Sequence, residues 1–196
     1  FYFKNENIIK INKNSKAISE IDKIHIEAEI FEYHQLINKI IAEKNVFVED
    51  KENDNKIFSE KITYYKNEEK IITEGKTRSL IETKYDFNSE DVIYFRNNKV
   101  LESKKKTTIF DNNSQIYKLS NFNYLIDEKD LKGENILITT NYNLPNSDTF
   151  YFSNGMVNLE SKKFIAGDTK INIHKNIFSN KENDPRIFGV SSNSDG

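Results

Sequence analysis

The sequence predicts an all-β fold of antiparallel strands, and three observations carry that prediction. The chain matches itself at a period of about 31 residues, its apolar residues alternate with polar ones, and clusters of turn-forming residues separate the alternating stretches. No stretch of comparable length places apolar residues at i, i+3, i+4 and i+7, the spacing of a helix face.

The repeat is clearest in Ile26-Glu-Ala-Glu-Ile-Phe-Glu-Tyr33, Ile57-Phe-Ser-Glu-Lys-Ile-Thr-Tyr64 and Phe87-Asn-Ser-Glu-Asp-Val-Ile-Tyr94. A weaker copy runs Tyr117 to Tyr124, and a degenerate one starts near Tyr151. The tyrosines at 33, 64, 94 and 124 are 31, 30 and 30 residues apart. Each Tyr is followed by a polar turn, an apolar pair, a corner and a second alternating stretch. Ile40-Ile41 lead into Val46 to Val48, and Ile71-Ile72 lead through Gly75 into Thr77 to Ile81. Leu131 to Gly133 lead into Ile136 to Ile138, and Ile165 to Gly167 into Ile171 to Ile173. Residues 1–20 fit the back half of an earlier copy when Ile8-Ile9, Asn12 and Ile18 are set 63 residues before Ile71-Ile72, Gly75 and Ile81. A start inside a repeat, at a Phe1-Tyr2-Phe3 without signal-peptide features, is expected of a fragment whose targeting segment is gone.

Period-2 alternation means one buried face and one wet face. Ile24, Ile26, Ala28 and Ile30 alternate with His25, Glu27 and Glu29. The clusters at 51–55, 96–98, 111–114 and 144–147 supply turns between strands. Two strands per repeat of about 30 residues give ten to twelve strands in all.

Composition narrows the shape and the function class. Hydrophobic residues make up 36% and charged residues 31%, with mean hydropathy −0.73, yet 14 Phe and 10 Tyr argue against disorder. Inward-phase positions include the small or polar Ala28, Ser59, Ser79 and Ser89. That suits two sheets splayed around a groove better than a filled sandwich, and a β-solenoid would show the same alternation. The net charge of −2 is well mixed, and the longest basic run is Lys104-Lys105-Lys106, which speaks against a nucleic-acid surface. There is no cysteine and no apolar run long enough to span a bilayer as a helix.

Ile24-His-Ile-Glu-Ala28, continuing through Tyr33 to Ala42 and Asn45-Val46, resembles the repeat of the LptA, LptC and LptD N-terminal (OstA-like) domains. Phe58 to Tyr65, Lys70 to Thr77, Ser103 to Ile109, and the ending Asn183-Asp-Pro-Arg186 with Gly189 to Ser192 resemble α-proteobacterial LptD. The chain departs from that pattern at Lys44 and Lys105, where the family prefers Gly, so looser turning is expected there. The resemblance implies an open antiparallel β-jelly roll, or β-taco, over residues 1–182. Residues 183–196 would be a linker or the start of a segment leading to an outer-membrane barrel. It further implies a periplasmic domain of an outer-membrane protein. Lipopolysaccharide (LPS) acyl chains would slide through its interior, LptA would dock by edge-strand pairing, and LptE would join the full-length barrel.

Hydrocarbon tails need an apolar lining with few polar anchors, because each exposed methylene costs about 0.8 kcal/mol in water. The expected lipid-facing positions are Ile24, Ile26, Ala28, Val46, Val48, Ile57, Ser79, Ile81, Phe87, Ile136 and Ile138. The counterparts of Ile24 and Ile26 face the groove in the family. The truncated copy at residues 1–20 is the expected docking edge. No catalytic motif, metal site or cofactor site is expected: His25, His34 and His174 are isolated in sequence, and no nucleophile-elbow, Walker or dinucleotide motif occurs. The alternative is a structural β-repeat protein, an adhesin or solenoid scaffold without a lipid ligand. An enzyme on a β-helix comes third.

Overall fold

The computed structural model describes residues 2–3, 7–174 and 185–194. It is all-β and antiparallel, with two 3-10 turns and no α-helix among the described residues. The strands of the first half are β1 (Tyr2–Phe3), β2 (Ile8–Ser19), β3 (Ile24–His34), β4 (Lys39–Asp50), β5 (Asn55–Tyr65), β6 (Lys70–Ile81), β7 (Tyr85–Glu90), β8 (Ile93–Phe95) and β9 (Val100–Ser103). Those of the second are β10 (Thr107–Asp111), β11 (Ile116–Leu125), β12 (Asp130–Thr139), β13 (Thr149–Asn158), β14 (Phe164–Asn172) and β15 (Arg186–Ser194).

Two compact units divide the chain, Phe1–Glu102 and Ser103–Gly196. Residues 186–194 form β15, hydrogen-bonded to β14 from Arg186 to Ser194. The Ser- and Asn-rich composition there hides a strand whose apolar residues are exposed. Asn183 and Asp184, part of the ending that carried the LptD likeness, lie outside the described residues.

Among the described residues there are fifteen strands, more than the ten to twelve expected. Part of the excess comes from a repeat strand that breaks in two: β7 and β8 both pair with β6, separated at Asp91-Val92. The break is stitched to β6 by Val92 N donating to Thr73 Oγ1 (2.8 Å) and Gly75 N donating to Asp91 Oδ1 (2.8 Å).

In the first unit the strands follow one another as a meander, and each long strand is kinked at mid-length. Register slips by one residue between Asn12 and Ser15, Glu27 and Ile30, Glu43 and Val46, and Ser59 and Lys61. Such bulges bend the strand that carries the extra residue. The extra residues lie on β2, β4 and β6 beside Lys13, Lys44 and Gly75, whose φ angles are 87°, 67° and 78°. These three left-handed residues are 31 apart, so the corner is part of the repeat. The buried phase of β3 and β5 changes parity at the same height, from Ala28 to Phe31 and from Ser59 to Ile62. The sheet is therefore folded along a line, with a front half and a back half.

Turns at both ends of the strands repeat too. Gln35 N, Lys66 N and Arg96 N donate to the carbonyls of Asn7, Asn38 and Glu69 at 3.0, 3.0 and 2.9 Å. At the opposite ends, Lys51 N and Glu82 N donate to Lys23 O and Asp54 O.

The structure corrects the alignment of the chain's start. Ile9, Ile40 and Ile71 occupy one cross-strand row, so the offset from the first copy to the third is 62 residues, not 63. A one-residue slip exchanges the two faces of a strand. Accordingly Ala17 faces the row of Ile26, while Ile18 is 60% exposed.

In the second unit, β10 to β15 form a meander as well. Register slips only between β11 and β12; the pairings β12–β13, β13–β14 and β14–β15 run unbroken. The buried phase still changes parity, from Leu119 to Phe122 and from Leu131 to Ile136.

Candidate functional site

Two sets of cross-strand rows build the interior of the first unit. On the front halves, Ala17, Ile26, Val48, Ile57, Ser79 and Phe87 are consecutive partners across six strands. A neighbouring row runs Ser19, Ile24, Asp50, Asn55, Ile81 and Tyr85. On the back halves the row is Ile9, Tyr33, Ile40, Tyr64, Ile71, Tyr94 and Leu101. An aliphatic residue thus separates consecutive tyrosines, because neighbouring strands are antiparallel. A solenoid that stacks equivalent residues directly would place Tyr33 on Tyr64.

All eleven sequence-predicted lipid positions are buried, none more than 7% exposed. The alternation placed their side chains inward. Nine belong to the first unit, whereas Ile136 and Ile138 belong to the second, paired with Phe152 and Phe150.

An open cavity of about 310 Å³ lies at the β2 end of the first unit. Front-half residues Ala17, Ile24 and Ile26 line it on one side, and back-half residues Ile9, Ile11, Phe31, Tyr33, Ile40 and Tyr64 on the other. Of the eleven predicted positions, only Ile24 and Ile26 reach it. Ala28 borders a separate, polar depression beside Lys16, Glu27 and Asn45. Past Tyr64, the buried Ile71, Ile81, Phe87 and Tyr94 do not line this cavity. The row residues Ile9, Phe31, Tyr33 and Ile40 were not among the predicted positions. The apolar pair after each turn was the available signal, since one member of each pair must face inward.

A buried polar cluster closes the strand ends beyond the cavity. Arg96, 4% exposed at its side chain, donates from Nε to Asp50 Oδ2 (3.0 Å) and from Nη2 to Asp50 Oδ1 (3.1 Å). Nη2 also donates to the carbonyl of Asp22 (2.7 Å), and Nη1 donates to Glu69. Tyr94 OH donates to Asp50 Oδ2 (2.9 Å) and accepts from Asn55 Nδ2 (2.8 Å); Tyr64 OH donates to Glu69 (3.0 Å). Nearer the cavity mouth, Lys66 pairs with Asp22 (2.9 Å). Asp22 and Asp50 lie at one end of the strands, Lys66 and Glu69 at the other. These contacts therefore clasp the two ends of the folded sheet together.

Burial would raise the Asp50 carboxyl, but hydrogen bonds from Arg96 and Asn53 and the Arg96 charge hold it below the ordinary range. Burial, followed by the Glu69 charge, pushes the Tyr64 phenol far up; burial and the Asp50 charge do the same to Tyr94. Asp50 and Arg96 are therefore both charged near neutrality. Tyr64 and Tyr94 belong to the repeat, whereas Asp50, Glu69 and Arg96 carry no pattern that announces the cluster.

The histidines are less isolated than their sequence positions suggested. His25 Nε2 lies 3.2 Å from Glu27, His34 Nε2 lies 2.6 Å from Glu32, and His174 Nδ1 lies 2.7 Å from Asp148. Among the described residues no group of three or more His, Cys, Asp or Glu side chains could hold a metal ion.

The outer edge of β2 is mostly free: among the described residues, β1 covers only Ile8 and Ile9. No family model matches the chain, and no curated protein is significantly similar to it.

Proposed function

We propose that this chain is a lipid-conducting periplasmic domain of the LptD N-terminal, OstA-like kind, serving LPS transport at the outer membrane. On this reading the folded antiparallel sheet is an open β-jelly roll. Its β2 edge docks LptA, and LptE joins the full-length barrel. The observation that carries the reading is the cavity at the β2 end, where a largely apolar wall, with Lys16, Ser19, Asp22 and Lys66 among its lining, opens beside the β2 strand, whose outer edge β1 covers at Ile8 and Ile9 among the described residues. Its volume is at the low end for small-molecule sites, which run from roughly 300 to 1,000 Å³. The backbone groups of β3, β4 and β5 are engaged in their ladders over most of their length, so the walls offer hydrocarbon contact rather than pairing for a peptide.

The test is photo-crosslinking in Gram-negative cells from a photoreactive residue at Ile26, with Ile138 of the second unit in parallel. LPS adducts at Ile26 are expected. Loss of adducts at Ile24, Ile26 and Tyr33 alike overturns the reading. A structural scaffold is the second reading, favoured by the cavity's lining reaching only two of the eleven inward positions, Ile24 and Ile26; it gives no lipid adduct at any inward position.

A further inference from the structure

The cavity ends where the clasp begins. Ile9, Tyr33, Ile40 and Tyr64 are consecutive partners on four strands, and the cavity reaches from the first to the last. Three strand spacings of about 4.8 Å make a path of roughly 14 Å. An extended alkyl chain, built on C–C bonds of about 1.5 Å, advances about 1.25 Å per carbon, so the path holds about eleven carbons. The next residues of the row, Ile71 and Tyr94, do not line the cavity.

Tyr64 is the last wall residue, and its position is fixed from behind. Its hydroxyl donates to Glu69, which also accepts from Arg96, and Arg96 is held by both oxygens of Asp50. For the interior to open further, the strand end carrying Asp50 must part from the one carrying Glu69. Arg96 is the side chain that bridges them.

We propose that Arg96 and Asp50 form the inner stop of an acyl-chain slot, so that the resting domain accepts a single alkyl tail of about eleven carbons and admits a longer one only when this pair parts. The proposal rests on the lipid-conducting reading and adds a length limit and the residues that set it. Lipid tails gain about fourfold in affinity per buried methylene, so a stop shows itself as the length at which that gain ceases.

The experiment measures displacement of a fluorescent fatty acid from the full chain by saturated fatty acids of eight to eighteen carbons. For the wild type, affinity rises about fourfold per carbon up to ten to twelve carbons and then levels off. The double variant Asp50→Leu/Arg96→Met, which replaces the charged pair by apolar side chains, moves the plateau to longer chains. Tyr64→Ala does so by removing the last wall, and serves if the double variant does not fold. Ile40→Trp, which narrows the path, moves the plateau to shorter ones. A wild-type affinity that climbs without a break to eighteen carbons, or a plateau that stays put in both the Tyr64→Ala and the folded double variant, overturns the stop while leaving lipid binding intact. No binding at any length removes the lipid reading itself, and the stop with it.

Discussion

The two units bend their strands by different means. In the first, the corner is a line of one-residue bulges, and left-handed residues supply the turn at Lys13, Lys44 and Gly75. In the second, the pairings from β12 to β15 cross the corner without a slip, and the sheet is stripped of side chains there instead. Gly133 faces Gly155, and Gly155 faces Ala166. A Cβ on Gly155 would lie 2.7 Å from the Ile165 carbonyl oxygen and 3.1 Å from Ala166 Cα and Cβ. A bulge adds backbone on the outside of a bend, whereas a glycine row removes bulk on the inside. The first tolerates varied side chains at the corner, and the second tolerates almost none.

The clasps differ in the same way. Asp50 and Arg96 are buried, at 1% and 4% side-chain exposure, and depend on each other for charge neutralisation. In the second unit, Lys162 pairs with Asp111 at 2.7 Å and remains 31% exposed. Asp111 Oδ1 also accepts the backbone amides of Asn113 and Gln115, both at 2.9 Å. Arg96→Ala strands a buried carboxylate and is expected to cost about 3–5 kcal/mol in urea unfolding. Lys162→Ala leaves Asp111, itself 1% exposed at its side chain, with its two amide donors and is expected to cost less, about 1–3 kcal/mol. Equal losses would show that backbone amides do not replace a cation here.

The corners give the next contrast. Gly155→Ala is expected to destabilise by about 1–3 kcal/mol, because the added methyl meets backbone that cannot move aside. Gly75→Ala meets nothing within 4 Å and loses only the conformational ease of glycine at φ 78°, about 1–2 kcal/mol. Urea midpoints of the two variants rank the corners directly. A larger loss at Gly75 would mean that backbone strain, not side-chain bulk, limits both bends.

What the sequence disclosed follows the same division. Alternation and the 31-residue period reveal strands and their inward faces, because those depend on residue type alone. Nothing about lysine announces a left-handed backbone, so the corner is legible at Lys44 only through the family likeness, which expects Gly there, and at Lys13 not at all. That gap also explains the one-residue misalignment of the chain's start, where Asn12 rather than Lys13 was matched to Gly75. The cavity and its clasp were less legible still. Whether an inward Ile meets a neighbour or open space depends on how far two half-sheets close, and Arg96 reaches Asp50 across 46 positions of sequence.

The clasp also makes the first unit sensitive to pH at both extremes. The Asp50 carboxyl is lowered in the fold, so its contribution is present above the unfolded pKa of about 3.9 and is lost as pH falls through the lower folded value. Tyr64 and Tyr94 are raised, so theirs is intact below about pH 10 and is lost as pH climbs beyond it. Each titrating group contributes at most about 1.4 kcal/mol per pH unit. Urea midpoints from pH 3 to 11 are expected to fall at both ends. Tyr94→Phe should flatten the alkaline fall; an unchanged slope would place the alkaline loss elsewhere.

The smallest effect tests the corner most cleanly. Lys44 holds φ 67°, a conformation that costs a residue with a Cβ about 1–2 kcal/mol, while glycine in its place returns about 0.5–1 kcal/mol of chain entropy to the unfolded state. Lys44→Gly is therefore expected to stabilise the chain by about 0.5 kcal/mol, a small upward shift of the urea midpoint. Asn135, at φ 51° on β12 of the second unit, already belongs to the residue types that visit this region readily. Asn135→Gly should accordingly gain nothing. If Lys44→Gly also gains nothing, the bulge is not strained, and the repeat places its corner by strand pairing alone rather than against a backbone preference.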